Sequence, residues 1–269
     1  MQKNSLTFIG LGLYDEKDIS IKGLEEIKKS DKIFAEFYTA KLVGTTISKI
    51  EKQISKKIQV LDRSETEKAH IIINAAKTQN VCFLTAGDPM TATTHVDLRL
   101  RAITQKIKTK IVHGSSIITA VPGLIGLQNY KFGRTTTLAY PEKNYFPTSP
   151  YDVIAENKKI GLHTLILLDI QADKEKYMTA NEAIKLLLDM ESKVKKKIIN
   201  QNTVVFVVAR AGSKNPVIKG DSIKELIKND FGPPLHSLVI PGKMHFMEIE
   251  AAQVLAQLPA QIVTKLQKI

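Results

Sequence analysis

Three short loops of the sequence, each placed after a predicted β-strand, carry the features that suit ligand binding best. They are GLGL at residues 10–13, AGDP at 86–89 and HGSS at 113–116. Glycine lets the backbone turn tightly and approach a ligand closely. Open α/β sheets bind their ligands at the carboxyl ends of the strands, which meet along one edge. Three such loops on one edge predict a ligand cleft.

Each loop taken alone also has an ordinary structural interpretation. In the first loop, Gly12 fits a plain turn, and the third glycine of a dinucleotide fingerprint is replaced by Asp15, so a Rossmann phosphate loop is excluded. Asp88 precedes a proline, which keeps it out of the helical region and fixes its carboxylate on a stiff turn, with or without a ligand. Ser115 or Ser116 fits the cap of the helix that follows. The repetition of these loops on one edge favours the ligand interpretation.

Other catalytic classes find little support in the sequence. The six histidines show neither an HExxH motif nor another paired metal spacing, so no metal site is predicted. A GxSxG elbow is absent, which disfavours a serine hydrolase. Cys82 is the only cysteine and lies in the apolar run VCFL, so no disulfide can form within one chain. This cysteine usage fits a reducing cytoplasm.

The formal net charge of +12 raises nucleic acid as a partner. However, only five of the 39 basic residues are arginines, the type that phosphate and base recognition favours. The densest basic run, at residues 193–197, follows a predicted helix and lacks the interleaved aromatic residues that stack on bases. A solvated face is therefore the expectation, and direct nucleic-acid binding is not expected.

The length of 269 residues favours two domains. The composition, 43% hydrophobic and 25% charged, is that of an ordinary globular protein. No stretch approaches the ~20 uninterrupted apolar residues that a membrane span needs. The N-terminal run MQKNSLTFIG leads directly into a glycine turn and lacks the layout of a signal peptide. A soluble, cytoplasmic protein without membrane attachment is expected.

The first half of the chain alternates β-rich runs with helical patterns, which is typical of a mostly parallel sheet covered on both faces. The predicted strands are LTFIG, KIFAEFY, IQVLD, VCFLTAG and KIVHG, and the predicted helices lie near 19–29, 45–54, 65–78, 94–107 and 115–127. After residue 130 strands become more frequent, which predicts a mixed sheet. Thr179 and Glu182 form a capping-box pattern before the helix NEAIKLLLDM. We predict two α/β domains, 1–130 and 131–269, joined between residues 112 and 133.

With these loops in place, the sequence resembles archaeal and eukaryotic diphthine synthases, members of the tetrapyrrole methylase superfamily. The resemblance runs from end to end and is carried by FIGLGLYDE, FAEFYT, FLTAGDPMTATTH, HGSSI, YKFG, AYPE, YFPTS, YDVI, GLHTLILLDI, YMTANEA, ARAGS and PGKMHFME. It implies a homodimer of two-domain subunits with the methyl donor, S-adenosylmethionine, in the cleft between the domains. It also implies trimethylation of the amino group of 2-(3-amino-3-carboxypropyl)histidine on elongation factor 2, which yields diphthine and S-adenosylhomocysteine.

The resemblance further implies which residues lie at the donor. They are Leu13, Asp88, Thr91, Ser116, Ile117, Leu168, Ala209 and His236. For Leu168 and Ala209, burial in the core is the alternative, and contacts through the backbone reconcile the two interpretations. No catalytic base is assigned, because an α-type amine has a reference pKa near ~8 and is partly neutral near pH 7. Two other functions stay open: a precorrin-type tetrapyrrole methylase, and a basic nucleic-acid-binding protein without enzymatic activity.

Overall fold

A computed structural model describes residues 4–143 and 145–267. It divides into two compact units, Met1–Ile117 with Ala172–Lys174, and Ile118–Gln171 with Glu175–Ile269. The division falls inside the predicted window of residues 112–133 and before the predicted boundary after residue 130. The division comes earlier in the chain than residue 130 because the turn after residue 125 already packs within the second unit, where Gly126 lies against Ala251. The outermost residues of both predicted domains, 1–3 and 268–269, lie outside the described residues.

Unit 1 is built on a sheet of five strands in which every pairing is parallel. The strand order is β3-β2-β4-β1-β5. The strands are β1 (Ser5–Gly10), β2 (Lys32–Glu36), β3 (Gln59–Val60), β4 (Asn80–Thr85) and β5 (Lys108–Val112). The helices between them are α1 (Ile21–Lys29), α2 (Ile47–Ile54), α3 (Arg63–Lys68), α4 (His70–Ala76) and α5 (His95–Thr104). The predicted parallel α/β arrangement is confirmed.

Both faces of this sheet are buried, as expected of parallel strands covered by helices. Phe8 and Phe83 belong to the apolar cluster on one face, and Ile9 and Leu84 belong to the cluster on the other. The single helix predicted near 65–78 is two helices in the structure, α3 and α4. They are divided at Ala69, whose φ of 62° lies in the left-handed region and interrupts the helix.

Unit 2 contains a second five-stranded sheet, with strand order β11-β10-β12-β7-β6. Only β6 and β7 pair in parallel and the other pairings are antiparallel, so the predicted mixed sheet is confirmed. Its strands are β6 (Thr136–Leu138), β7 (Thr164–Leu168), β10 (Val204–Ala209), β11 (Val217–Ser222) and β12 (His236–Ile240). A separate hairpin consists of β8 (Ile170–Gln171) and β9 (Lys176–Tyr177).

The division falls at the first residue of α6 (Ile117–Ile125). The helices after it are α7 (Ser149–Lys159), α8 (Ala180–Val194), α9 (Ile223–Leu226), α10 (Phe246–Leu255) and α11 (Ala260–Leu266). Helix α8 begins with the predicted capping box: the Thr179 hydroxyl accepts a hydrogen bond from the backbone of Glu182 at 3.3 Å, and the Glu182 carboxylate accepts one from the backbone of Thr179 at 2.8 Å. No helix in the described part of the chain is both long and apolar enough to cross a membrane.

Candidate functional site

The three glycine-containing loops of unit 1 meet at the carboxyl edge of its sheet. Gly12 and Gly87 form an isolated bridge, in which the Gly87 amide donates to the Gly12 carbonyl at 2.7 Å and the Gly12 amide donates back at 3.3 Å. The HGSS loop approaches just as closely. A Cβ placed on Gly10 would lie 2.5 Å from both the Gly114 nitrogen and the Gly87 oxygen. These glycines are therefore required for the approach of three backbones.

Gly12 also has a second reason to be glycine. Its φ is +84°, and a Cβ would lie 2.3 Å from the Cβ of Asp18. The Asp18 carboxylate accepts hydrogen bonds from the backbone amides of Leu13 at 3.1 Å and Tyr14 at 2.7 Å. Because the Leu13 amide is already bonded, the carbonyl and the half-buried side chain of Leu13 are the groups that it can offer to a ligand.

Asp88 organises the middle loop and connects it to its neighbour. Its side chain is 7% exposed. Oδ1 accepts hydrogen bonds from the Met90 amide at 2.9 Å and the Thr91 hydroxyl at 3.2 Å. Oδ2 accepts from the His113 ring at 2.7 Å and the Gly114 amide at 3.3 Å. Both oxygens are thus engaged within the protein, and the carboxylate joins the AGDP loop to the HGSS loop.

Open space lies beside the loop that Asp88 holds. Gly87 has a φ of +75°, and apart from its two chain neighbours no residue has an atom within 4 Å of the position that its Cβ would take. Ser116 is buried and Ile117 is half-buried where the third loop enters α6. Backbone groups of a strand edge next to unfilled space suit a ligand that is bound largely through peptide N–H and C=O groups. The residues predicted in unit 1 therefore fit a small-molecule donor.

The three predicted residues of unit 2 lie together in one row across the second sheet. Ala209 is paired with His236 between β10 and β12. Leu167 is paired with Ser237 between β12 and β7, which puts Leu168 in the next position of the antiparallel register, beside His236. All three are buried, at 0% for Ala209, 5% for His236 and 7% for Leu168. Their side chains thus contribute to the sheet, and the polar groups that they add are mainly those of the backbone.

The ring of His236 is held at both nitrogens. Nδ1 accepts a hydrogen bond from the Ala180 amide at 3.0 Å, at the start of α8, and Nε2 lies 3.1 Å from the Pro233 carbonyl. Nε2 therefore carries the hydrogen, and burial lowers the pKa of the imidazole. Arg210, directly after β10, donates to the carbonyl of Phe231 at 2.7 Å and so fixes the same turn.

A buried acid and imidazole that sequence reasoning did not single out lie at the same edge of the unit 1 sheet. Glu36 ends β2 and is 0% exposed, and His95 begins α5 and is 2% exposed. Burial raises the pKa of the Glu36 carboxyl and lowers that of the His95 imidazole. The one available signal was an acidic residue inside the otherwise apolar run KIFAEFY. Among residues 4–143 and 145–267, no cluster of three or more metal-ligating side chains was found.

Comparison with known proteins covers almost the whole chain. The family described as Tetrapyrrole (Corrin/Porphyrin) Methylases matches residues 5–227. The diphthine synthase of Methanococcus vannielii is 55% identical over 251 residues, which are 93% of this chain and 98% of that protein. The diphthine synthase of Methanocaldococcus jannaschii is 52% identical over 255 residues, 94% and 99% of the two chains. A crystal structure of a diphthine synthase superposes with a TM-score of 0.88 and 39% identity, covering 97% and 99%.

Proposed function

The chain belongs to the tetrapyrrole methylase family and, within it, to the diphthine synthases, and we propose that it trimethylates 2-(3-amino-3-carboxypropyl)histidine on elongation factor 2 to form diphthine. It is a methyltransferase that uses S-adenosylmethionine and acts in diphthamide biosynthesis. The observation that carries this assignment is the identity of 55% to a diphthine synthase over 93% of this chain. The meeting of the GLGL, AGDP and HGSS loops supports it independently.

The reaction requires little acid–base catalysis from the protein. When bound, the donor supplies a methyl group that sulfur already activates as an electrophile. The chain has to orient the substrate amine in line with that group and to exclude water. The amine has a reference pKa near ~8, so a neutral fraction is present near pH 7 without a strong base. After each of the first two transfers to the neutral amine, the product loses one proton to solvent, whereas the third gives a quaternary ammonium that has none to lose. No residue of the chain forms a covalent intermediate.

We propose that the open space beside Gly87 receives the donor. Leu13 contributes through its carbonyl and side chain, and Ser116 and Ile117 contribute at the start of α6. Asp88 and Thr91 act mainly by shaping the loop, because the Asp88 carboxylate is bonded on both oxygens, at 3.2 Å to Thr91 and 2.7 Å to the His113 ring. This arrangement leaves backbone groups, rather than charged side chains, as the principal donor contacts.

We further propose that the row of Leu168, Ala209 and His236 contacts the donor. Both nitrogens of His236 are engaged, at 3.0 Å with the Ala180 amide and 3.1 Å with the Pro233 carbonyl. A contact from this residue would therefore use its backbone. Ala209 is completely buried, its backbone included, so its contribution would be to pack directly behind the groups that touch the donor.

The same proposal includes a homodimer in the cytoplasm, with elongation factor 2 as the protein partner and no nucleic acid. Cys82 is buried and free, which suits a reducing compartment. Helix α5 exposes Val96, Leu100 and Ile103 at 51%, 58% and 49%. Residues at this spacing share one face of a helix, and an exposed apolar face is a candidate contact for a second copy.

Mass spectrometry of elongation factor 2 tests the assignment. The factor carrying the aminocarboxypropyl histidine is incubated with the enzyme and S-adenosylmethionine, and unmodified factor serves as the control. We expect methyl groups only on the modified histidine. Methylation of a tetrapyrrole in place of the factor would move the chain to another branch of its family. Salt-dependent binding to nucleic acid without methyl transfer would support the alternative of a basic nucleic-acid-binding protein.

A further inference from the structure

Glu36 and His95 form a sealed pair at the carboxyl edge of the unit 1 sheet. Glu36 ends β2 and is in register with Thr85, the last residue of the neighbouring strand β4. His95 begins α5, six residues after Pro89, the last residue of the AGDP loop. The two side chains are 0% and 2% exposed, and Nε2 of His95 lies 3.5 Å from Oε1 of Glu36. Neither side chain takes part in the proposed methyl transfer.

The orientation of His95 determines which of its nitrogens carries a hydrogen. Nδ1 lies 3.0 Å from the carbonyl oxygen of Pro89, inside the AGDP loop. A carbonyl only accepts, so Nδ1 must be the donor. In the neutral ring Nε2 then carries a lone pair. This atom is buried and has no hydrogen-bond partner, although it faces Glu36.

Glu36 is bonded in a way that leaves one oxygen facing that lone pair. Oε2 accepts hydrogen bonds from the amides of Tyr38 and Thr39, both at 3.0 Å. Oε1 accepts one from the Thr39 hydroxyl and also faces Nε2 of His95. A carboxylate and a neutral ring would thus place two lone pairs against each other in a site without water contact. One proton on Oε1 turns this repulsion into a hydrogen bond.

We propose that Glu36 and His95 share one proton, carried on Glu36 Oε1, and that this pair positions the donor loop by fixing the His95 tautomer whose Nδ1–H holds the Pro89 carbonyl. The role in donor binding rests on the proposed function, whereas the protonation state does not. Glu36 and His95 are positioning residues, since neither reaches open space. Their effect on the reaction passes through the backbone next to Asp88.

The surroundings favour the neutral form of the pair over an ion pair. Burial opposes a charge on either member, raising the pKa of Glu36 and lowering that of His95. The ring of Phe83 packs edge-on against His95 with centroids 5.0 Å apart. The charge that faces Glu36 is that of Arg63 on α3, which lowers the pKa of the carboxyl, but the Arg63 side chain is 67% exposed and solvent screens it.

A second buried glutamate–histidine pair, in unit 2, provides the contrast. Nδ1 of His163 accepts a hydrogen bond from the Gly242 amide at 3.0 Å, so its hydrogen is on Nε2, which donates to Glu248 at 3.1 Å. Glu248 also accepts from the His245 amide at 2.7 Å and from the Lys131 ammonium. Every partner of Glu248 is a donor, so this glutamate is a carboxylate and needs no extra proton.

The same substitution therefore has opposite effects at the two sites. In Glu36→Gln the amide NH2 donates to His95 Nε2, its carbonyl still accepts from Tyr38 and Thr39, and the Thr39 hydroxyl can turn to accept. We expect donor affinity within about twofold of wild type. Glu36→Leu leaves His95 without a partner, and we expect donor KM to rise about tenfold or more, in line with an unpaired buried polar group, with kcat retained at saturating donor.

Glu248→Gln is the matched control, because its NH2 would face donors; it should lower the melting temperature without moving donor KM in the folded enzyme. Equal damage by Glu36→Gln and Glu36→Leu would overturn the proposal, since it would show that the carboxylate itself is required. This comparison survives a failure of Glu36→Leu to fold, because an intact Glu36→Gln enzyme supports the shared proton and a damaged one contradicts it.

Nuclear magnetic resonance of histidine-labelled full-length protein tests the protonation state without any activity. His95 is assigned by the signal lost in His95→Gln. We expect a neutral ring with hydrogen on Nδ1 from pH 6 to pH 8, and the same tautomer in Glu36→Gln. An imidazolium, or hydrogen on Nε2 of the neutral ring, would overturn the inference. An enzyme with the expected tautomer but no activity on elongation factor 2 would instead contradict the proposed function.

Discussion

The buried carboxylate of Asp88 accepts a hydrogen bond at 2.7 Å from the ring of His113, whose side chain is 72% exposed. The contact joins two loops that follow different strands of the unit 1 sheet. The sequence predicted a carboxylate fixed on a stiff turn, and the family resemblance implied that it lies at the methyl donor. The structure instead shows a carboxylate occupied by its own protein, so its effect on ligand binding should pass through the shape of the loops.

Asp88→Ala should weaken donor binding more than it weakens the fold. The substitution leaves the amides of Met90 and Gly114 without their acceptor and frees the AGDP loop from the HGSS loop. We expect a loss of donor affinity of about tenfold to a hundredfold, from the ~1.5–3 kcal/mol typical of hydrogen bonds to a charged group. Calorimetric titration with the donor measures this, and thermal unfolding measures the fold.

The control for Asp88 is Asp97→Ala on the exposed side of α5, where Asp97 pairs with Arg101 at 2.6 Å. An exposed pair of this kind contributes ~0–1 kcal/mol, so neither measurement should change much. A fall in melting temperature with constant donor affinity in Asp88→Ala would show that this residue serves an ordinary turn and does not belong to the donor site.

Gly87→Val should block the donor while leaving most of the fold intact. A side chain at this position enters open space, so apart from its two chain neighbours it meets no protein atom within 4 Å, but it would fill the room assigned to the ligand. The positive φ adds a cost of about 1–2 kcal/mol for a residue with a Cβ. Loss of measurable donor binding in a folded variant is the expected result, by the same calorimetry.

Gly123→Ala in α6 is the matched control, because its Cβ position is also free of neighbours and its φ is not positive. Alanine is favoured over glycine in a helix by roughly 0.5–1 kcal/mol, so this variant should be slightly more stable and bind the donor normally. Normal donor affinity in Gly87→Val would place the donor elsewhere.

Gly12→Val should abolish donor binding and lower stability as well. The new Cβ would overlap with that of Asp18, 2.3 Å away, and would displace the carboxylate that holds the Leu13 and Tyr14 amides. A β-branched residue is also strained at a φ of +84°. A soluble, folded variant with unchanged affinity for the donor would show that Gly12 serves only the turn.

The features that sequence predicted best were those encoded by neighbouring residues. The glycine and proline pattern of the three loops, the parallel sheet and the capping box of Thr179 and Glu182 are all local signals. Helix α7 was not predicted, because prolines at 141, 147 and 150 precede or interrupt its start in the sequence. In the structure Pro150 lies in the first turn of α7, where the absent N–H costs no helical hydrogen bond.

The contacts that sequence could not predict join residues far apart in the chain. Glu36 and His95 come from different strand–helix units and meet only because β2 and β4 are neighbours in the sheet. The capture of the Leu13 amide by Asp18 depends on a turn geometry that two glycines permit but do not specify. The row formed by the predicted donor residues of unit 2 was also not predictable, because it depends on the register of β7, β10 and β12.

Stability should pass through a maximum near pH 6.5. Burial lowers the pKa of His163 and His236 below the ordinary value of 6.5. Below that pH the unfolded chain binds protons that the folded chain does not, so stability falls as the pH falls. The Glu36–His95 pair keeps one proton when folded, and above pH 6.5 the unfolded chain loses it, so stability also falls as the pH rises.

Urea unfolding between pH 5 and pH 8 measures how the free energy of unfolding falls on each side of the maximum. Glu36→Gln removes the shared proton and should flatten the fall above pH 6.5. It should make the fall in stability below pH 6.5 steeper, since His95, neutral beside the amide in the folded variant, joins His163 and His236 as a ring that gains a proton on unfolding. A wild-type profile that stays level from pH 6.5 to pH 5 would contradict the neutral, buried state of these two histidines.

Methyl transfer should end by itself at three groups on the substrate nitrogen. A primary amine becomes secondary and then tertiary, and each of these products keeps the lone pair that in-line attack requires. The quaternary product has no lone pair, so no residue of the chain is needed to limit the number of methyl transfers. Its fixed positive charge is also repelled by the sulfonium of a newly bound donor, which promotes release of the modified factor. Time-resolved mass spectrometry of elongation factor 2 should show one, then two, then three additions on the modified histidine. Accumulation of a two-methyl product with donor still in excess would show that the chain itself limits the count, and variants of the donor loops would then be expected to change it.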